Sequence, residues 1–434
     1  MQVEPDIVAK PSAKAPTKLL NKNFVLLWQG QLVSQIGSQA FHIAMVFWIK
    51  QATGSASLMG LLLMASALPA VILGPIAGTF ADRHSRRNIL IFCDTFSGLS
   101  VLSLAGLMFW MPQATDLILV WIFMVSVLVA IFNAFFRPAQ SAAIPDLVPA
   151  SKLNTANSLN QSSLQISNLF GQGLGGVLFR ILGAPLLFLV DGISYLFSAL
   201  SECFIRIPQT LPDKKARFGE MFQEFKRDTV VGMRYMWRHP GMRNFFFAIS
   251  VLNFFSYPFI VLMPFYVEDY LKVTPDWYGY LLAAWGLGAL LGNLITGVVK
   301  VSGKLRSWLI IVFLTLASFL LGTLGIMFIK EAVLALFLMV GMMSGFINVN
   351  IVTILQQSTP SEIRGRVFGL LTTIAAGLAP VSMGLTGVIA DLVNQNVPLI
   401  YLATAIIGTV LTVLIALNKD FREFLAYEPD QDAS

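Results

Sequence analysis

The 434-residue chain is 56% hydrophobic and only 12% charged, and its mean hydropathy is +0.73. Soluble domains carry roughly 25% charged residues, so this composition excludes a water-soluble globular protein. The net charge of +6 does not indicate a nucleic-acid-binding protein, because the basic residues lie in loops between apolar segments, as in membrane proteins.

Apolar segments follow one another along the whole chain, each of about 20 to 27 residues, enough to cross a hydrocarbon core of roughly 30 Å as a helix. Six segments lie near 24–49, 57–80, 88–110, 117–137, 157–180 and 185–205. After a charged connection, six more lie near 244–267, 277–299, 307–329, 332–356, 365–391 and 397–417. The expected fold is therefore an all-α integral membrane protein with 12 transmembrane helices.

The same segments predict five parts of the chain. They are an N-terminal segment (1–23), a six-helix half (24–205), a linker (206–243), a second six-helix half (244–417) and a tail (418–434).

Lysine and arginine are concentrated on one side of the predicted membrane. Of the 29 basic residues, the other side holds four, which are Lys50, Arg180, Lys272 and Lys330. The positive-inside rule then places both termini in the cytoplasm, and we expect a multi-pass protein of the inner cell membrane.

The two groups of six segments correspond at constant offsets in sequence. In the second and eighth segments the matching positions are Gly60, Ala65, Ala70 and Gly78 with Gly279, Ala284, Ala289 and Gly297. An even number of spans per half gives both halves the same orientation, which is the parallel repeat found in alternating-access carriers.

A dense charged loop follows the second segment and contains Gly78, Asp82, Arg83, Arg86 and Arg87. It resembles the G-x-L-A-D-R-x-G-R-R signature of the major facilitator superfamily, with Phe and Ser at the positions where Leu and the second Gly are usual. The resemblance covers nearly the whole chain and implies the two-halved major facilitator fold and a secondary transporter. Residues 136–146 are similar to the branch that holds macrolide efflux proteins and the enterobactin exporter.

The charged loop also predicts a gate. Asp82 lies at a helix end, and Thr359, Pro360 and Glu362 are typical of a capped helix start, whose positive dipole end attracts an acid. The family resemblance places that eleventh helix near this loop. Alternatively, the arginines only enforce topology.

The fifth segment contains Gly171, Gln172, Gly173 and Gly176, similar to an exporter motif in which proline stands in place of Gln172. An arginine-containing motif of the fourth span, known in many proton antiporters, is not expected here, because Arg137 follows the predicted end of that span. These features favour export more strongly than they favour proton coupling.

Polar side chains form one stripe in the first segment and another in the fifth. The stripes consist of Gln31, Gln35, Ser38 and His42, and of Gln161, Gln165, Asn168 and Gln172. Because polar groups inside a membrane face a partner helix or a wet cavity, the resemblance makes these positions candidates for a substrate cavity. In the second half the candidates are Asn253, Tyr257, Trp285, Asn348 and Asn350. Helix packing is the alternative in each case.

Two acids within spans, Asp94 and Glu202, are candidate proton carriers. Asp94 could instead pair with a loop arginine, and Glu202 could reach interfacial water.

These features together predict a carrier, and they favour no other class of protein as strongly. We expect export of a small amphipathic compound (a drug, macrolide-like molecule or siderophore) by a functional monomer, with a proton as coupling ion. An importer or a lysophospholipid flippase of the same fold is the alternative. The sequence contains no Walker phosphate loop and no H-E-x-x-H metal motif, so we expect neither an enzyme nor a cofactor, and no nucleic-acid partner.

Overall fold

The computed structural model describes residues 18–209, 218–299 and 301–428. The side chains of Gln172 and Glu362 lie outside this description.

The first half consists of long helices joined by short loops. The first four spans are Lys22–Thr53, Ala56–Arg83, Arg86–Trp110 and Thr115–Leu147. The fifth span begins as Leu153–Ser167, passes through a π-helical turn at Asn168–Gln172 and continues into the helix Gly173–Cys203. Within that helix Gly183 has φ 71° and ψ 170°, and this break separates the end of the fifth span from the sixth.

The second half follows a linker helix, Phe218–Arg238. Its seventh span combines Pro240–Val261, the short Met263–Phe265 and a π-helical turn at Tyr266–Tyr270. The last five spans are Asp276–Val298, Gly303–Thr323, Lys330–Ser358, Ser361–Leu392 and Val397–Leu417, and a short helix, Lys419–Leu425, follows them.

Apolar length explains most of these helices. Among the described residues, 10 helices are long and apolar enough to cross a membrane, and a shorter apolar helix covers Gly377–Leu392. One of the 10, Gly173–Cys203, holds the sixth span together with the end of the fifth, whose first part is polar. The all-helical membrane fold that the sequence predicts is confirmed.

The fourth helix extends beyond its predicted end at residue 137 and continues to Leu147. The prediction was wrong because Pro138 and the polar residues after it are typical of a helix end. Hydrogen bonds from the third helix stabilise the extension, since Arg86 Nη1 donates to Ala142 O at 2.9 Å and to Asp146 Oδ2 at 2.5 Å.

Hydrogen bonds near both described ends define one face of the molecule, which we call the near face. Asn21 Nδ2 donates to Leu147 O at 2.6 Å, and Asn244 Nδ2 donates to Asn418 Oδ1 at 3.0 Å. The opposite face is the far face. On it lies one apolar cluster built from both halves, in which Phe47 and Tyr278 pack edge to face with centroids 5.4 Å apart. Two further clusters lie toward the near face, each within a single half.

The second and eleventh spans touch closely only toward the far face. A Cβ atom at Gly60 would overlap Met383 O and would lie 2.9 Å from Gly387 Cα. Closer to the near face, a Cβ atom at Gly74, Gly78 or Gly365 would meet nothing within 4 Å. The two helices therefore diverge toward the near face.

The fifth and eighth spans repeat this far-side contact. A Cβ atom at Gly176 would overlap Pro275 O and would lie 3.0 Å from Asp276 Cα. The two halves are thus joined at the far face and leave a space between them that opens toward the near face.

The close contact predicts different effects of alanine at two glycines of one helix. Gly60→Ala should destabilise the protein, because overpacking against backbone costs about 1–3 kcal/mol. Gly74→Ala should change stability by no more than about 1 kcal/mol, and in the stabilising direction, since alanine favours a helix over glycine. The thermal unfolding midpoints of both purified variants in detergent, compared with the wild type, measure the change in stability. Equal midpoints for the two variants would contradict the packing.

Candidate functional site

Charged side chains close the far end of the space between the halves. Lys50 Nζ lies 2.6 Å from Glu268 Oε2 and 3.0 Å from Asp269 Oδ2, so the end of the first span is tied to the end of the seventh. Arg180 Nη2 lies 3.2 Å from Asp276 Oδ2 and ties the fifth span to the eighth. The sequence predicts Lys50 and Arg180 on the same side of the membrane but does not identify their partners.

A further far-side contact caps the second span with an acid from the eleventh. Asp391 accepts hydrogen bonds from Ser55 Oγ at 2.7 Å, Ala56 N at 3.0 Å and Ser57 N at 2.9 Å. Gln395 Nε2 donates to the same carboxylate at 2.9 Å and also to Gly54 O. A carboxylate is stabilised at a helix N-terminus because the first N–H groups have no partner within the helix.

The first part of the fifth span presents a polar, exposed surface. Gln161 and Gln165 are exposed, as is Asn157 on the preceding turn. Asn168 is half-buried, and its Oδ1 accepts from Gln39 Nε2 at 2.9 Å. A face of amides is unsuited to lipid, so this surface fits the water-accessible space between the halves.

The second-half candidates differ in accessibility. Trp285 and Asn348 are exposed, whereas Asn253 and Tyr257 are half-buried. Asn350 is buried and donates to Phe346 O of its own helix at 2.9 Å.

The predicted stripe of the first span divides between two environments. Gln31 is buried, and Ser38 donates to Tyr195 Oη at 3.0 Å and to Asp191 Oδ1 at 3.4 Å within the first half. His42 is exposed, and Gln35 is half-buried with an Oε1 atom that has no hydrogen-bond partner in the described part of the chain.

Gln31 brings the two candidate proton carriers into one buried cluster between the first, third and sixth spans. Its Nε2 donates to Ser198 Oγ at 3.1 Å, and it lies 3.4 Å from Glu202 Oε1. The same nitrogen lies 3.5 Å from Asp94 Oδ2. The exposed fractions of Asp94 and Glu202 are 3% and 0%.

This acid cluster lacks a compensating cation. Among the described residues, no lysine, arginine or histidine nitrogen lies within 4 Å of either carboxylate, and Glu202 Oε2 has no hydrogen-bond partner. Two ionised carboxylates buried together would be strongly destabilised. The arrangement therefore suits carboxyl groups that hold a proton.

The charged loop after the second span is tied to its own half. Arg86 pairs with Asp146, and Arg87 Nη2 donates to Cys203 O. The Asp82 side chain is 67% exposed, and its nearest cation is Arg86 Nη2 at 3.6 Å. Asp82 consequently faces the open near side and makes no ion pair with the second half in the described part.

The other residues of the predicted gate are placed only partly. Arg83 is half-buried, and Gly78 has open space at its Cβ position. The eleventh helix begins at Ser361, but the side chain of Glu362 lies outside the described residues. Gln172 of the fifth-span motif is likewise outside them.

Arg137 was not among the predicted site residues. Because the fourth helix continues to Leu147, Arg137 lies within it, roughly three turns before its end. Its side chain is exposed. The signal in the sequence was an arginine directly before Pro138, a proline that is typical of a helix end but lies inside this helix.

Comparisons with known proteins agree with this architecture. Residues 27–382 and 259–423 match the family described as the Major Facilitator Superfamily. Macrolide efflux protein A of Streptococcus pyogenes is 25% identical over 378 residues, covering 86% of this chain and 90% of that protein. Multidrug efflux pump Tap of Mycolicibacterium fortuitum is 25% identical over 416 residues, covering 93% and 98%.

Solved structures share the fold at low sequence identity. A bacterial homologue of the human lysosomal transporter Spinster, in an inward-facing and unoccupied conformation, has a TM-score of 0.67 and 17% identity, covering 93% of this chain and 96% of that one. A bacterial homologue of the iron transporter ferroportin, inward-facing, has a TM-score of 0.67 and 13% identity, covering 92% and 100%.

The exposed face of the fifth span predicts the reactivity of two neighbouring positions. In a background of Cys93→Ser and Cys203→Ser, Gln165→Cys should react rapidly with a bulky hydrophilic maleimide in detergent. Ser167→Cys should stay unreacted until the protein is unfolded, because Ser167 is buried. Gel shifts after timed labelling measure both rates. Rapid labelling of Ser167→Cys, or none of Gln165→Cys, would place the open space elsewhere.

Proposed function

Since this chain belongs to the Major Facilitator Superfamily, we propose that it is a secondary active transporter that exports small amphipathic compounds by alternating access, with a proton as the coupling ion. The observation that supports this proposal is the closed far side and open near side of the space between the halves. Such a carrier alternates by rocking one half against the other around a central site. Relatives named as macrolide and multidrug efflux proteins support the direction of transport.

We propose that the near face lies in the cytoplasm, so that both termini are cytoplasmic and the conformation is inward-facing. The distribution of lysine and arginine supports this orientation. We also propose the domain boundaries predicted from the sequence and a functional monomer. The boundaries are 1–23, 24–205, 206–243, 244–417 and 418–434.

The substrate is proposed to lie between the halves, against exposed side chains of both. Gln161 and Gln165 supply amides from the first half, and Trp285 supplies an aromatic face from the second. Aromatic faces with a few polar groups suit a partly apolar ligand.

Asp82 is proposed to act as a gate in the opposite, outward-facing conformation. When the near side closes, the second and eleventh spans approach there, and the N-terminus of the eleventh helix at Ser361 can receive a carboxylate. Its exposure in the present conformation leaves Asp82 available for that contact.

Asp94 and Glu202 are proposed to act together as one proton site. Their shared contact with Gln31 makes the protonation of either carboxyl group affect the other. The site lies within the first half, beside the pathway, so proton and substrate need not compete for the same atoms.

The export proposal predicts gradient-driven efflux that depends on Asp82. Cells that express the wild type should extrude compounds from a panel of macrolides, dyes and catecholate siderophores, and a protonophore should abolish the efflux. Asp82→Asn should reduce the rate about two- to thirtyfold, since a charge at a helix N-terminus contributes about 0.5–2 kcal/mol. Asp116→Asn, at the far-side start of the fourth span, is the matched control and should transport normally. If accumulation in inverted vesicles fails for the whole panel, uptake or lipid flipping replaces export.

The shared proton site predicts a pattern of non-additive effects. Asp94→Asn and Glu202→Gln should each abolish proton-driven accumulation in inverted vesicles while leaving substrate exchange without a gradient intact. The double variant should be no more impaired than either single variant, because both remove the same site. Asp191→Asn, equally buried on the sixth helix but hydrogen-bonded to Ser38 and Ser194 instead of Gln31, should retain driven accumulation. Normal accumulation by either single variant would show that the substituted residue does not belong to the proton site.

A further inference from the structure

The second and eleventh spans lie beside each other and run in opposite directions. Asp391, at the end of the eleventh span, accepts a hydrogen bond from Ser57 N near the start of the second. Earlier on the eleventh span, a Cβ atom at Gly384 would lie 2.8 Å from the sulfur of Met64, which is further along the second span. Each face of the protein therefore turns the N-terminus of one helix toward the C-terminus of the other.

Each of these two helices has an acid as its next-to-last residue. Asp82 precedes Arg83 at the near end of the second span, and Asp391 precedes Leu392 at the far end of the eleventh. A carboxylate is unfavourable in the last turn of its own helix, because that end carries partial negative charge. Contact with the N-terminus of the other helix would make both positions favourable.

At the far end this contact is formed. Asp391 accepts hydrogen bonds from Ala56 N and Ser57 N in the first turn of the second span. Gln395 Nε2 donates to the same carboxylate at 2.9 Å, from a turn in which Asn394 and Gln395 have φ values of 53° and 55°. Non-glycine residues adopt this left-handed conformation at a cost, and it persists where surrounding contacts fix the backbone. The turn is therefore shaped to hold the carboxylate on the second span.

At the near end the corresponding contact is absent from the described part of the chain. The eleventh helix begins after Pro360, which makes no side-chain capping hydrogen bond, and the Asp82 side chain is 67% exposed. A Cβ atom at Gly78 or Gly365 would meet nothing within 4 Å. The occupied far-side cap and the open near side thus belong to the same conformation.

We propose that Asp391 is a gate residue whose cap on the second span holds the far side closed, and that Asp82 opposes it by capping the eleventh helix when the near side closes. This inference rests on the proposed alternating access and specifies what sets its conformational equilibrium. Rocking the halves exchanges one cap for the other, so each carboxylate favours a different conformation. Together the two acids keep the free energies of the two conformations close, so that neither conformation traps the carrier.

Neutralising the two acids should move the equilibrium in opposite directions. Asp391→Asn weakens the far-side cap and should raise the ratio of outward-facing to inward-facing protein about two- to thirtyfold, the effect of a charge at a helix N-terminus. Asp82→Asn should lower the same ratio to a similar extent. The double variant should return to within about threefold of the starting ratio, because the effects of distant sites add.

The labelling rate of a cysteine at position 47 measures this ratio. Phe47 is 0% exposed and packs against Tyr278 of the other half, so a cysteine there should react with a hydrophilic maleimide only when the far side opens. The parent protein carries Phe47→Cys together with Cys93→Ser and Cys203→Ser, and each acid is changed in this background. When opening and closing are faster than labelling in detergent, the rate is proportional to the outward-facing fraction. If Phe47→Cys does not fold, Tyr278→Cys on the facing span replaces it.

Two comparisons separate a shift in conformation from a local loosening. Asp116→Asn removes an acid from the first turn of the fourth span on the same face, and its labelling rate should match that of the parent. Asp391→Asn could also loosen the start of the second span, but Asp82→Asn, at the other end of that helix, would not reverse such an effect. Thermal unfolding midpoints of all variants identify labelling that results from unfolding.

The outcomes distinguish the paired gate from alternating access itself. If the parent is labelled but Asp391→Asn leaves the rate unchanged, or Asp82→Asn does not reverse its increase, the paired gate is overturned and alternating access stands. If no variant is labelled below its unfolding temperature, the far side does not open, and alternating access fails together with the paired gate. The direction of transport is decided separately, by the efflux of the compound panel.

Discussion

Close backbone contact between the halves at the far face is the constraint on which the rest of the structure depends. Inside a bilayer the hydrophobic effect does not hold helices together, so association rests on packing and polar contacts. Gly60 and Gly387 let the second and eleventh spans meet, and Gly176 does the same for the fifth and eighth. Because these contacts are confined to one end, the helices diverge from it, and the open space follows from where the small residues lie.

In the proposed alternating-access cycle, charged contacts add a kinetic barrier to the opening of the far side. The Lys50 side chain is only 7% exposed, so separating it from Glu268 and Asp269 in place would strand a buried charge at a cost of about 3–5 kcal/mol. Once the far side opens, water solvates all three groups and most of that cost disappears. The ion pairs would thus affect the rate of this proposed opening more than the relative free energies of the closed and open conformations. The capped N-terminus of the second span adds a directional contact that is lost at the same step.

Sequence patterns predicted the fold well because hydrocarbon thickness and hydropathy act locally along the chain. The number of spans and their division into two halves follow from segment length. The fourth helix was predicted too short, because contacts from Arg86, which is distant in sequence, overcome the tendency of Pro138 to end a helix. The same limit applies to the site. Lys50 and Glu268 are 218 residues apart, and no local pattern pairs them. Polar stripes indicated candidate positions in the first span but not which neighbours each would contact.

The division of the first span between two polar environments offers a physical route for coupling. Gln31 contacts the acid cluster, and His42, three turns along the same helix, is exposed. Loss of a proton from the cluster creates a buried negative charge, which favours any movement of the first span that brings water or a cation nearer. In the proposed transport cycle such a movement also shifts His42 and changes the affinity for a substrate bound beside it. Thermodynamic linkage makes the effect reciprocal, so a substrate bound there must alter proton affinity in the cluster by the same factor. A single rigid helix can therefore connect the two sites without the proton and the substrate ever sharing a binding atom.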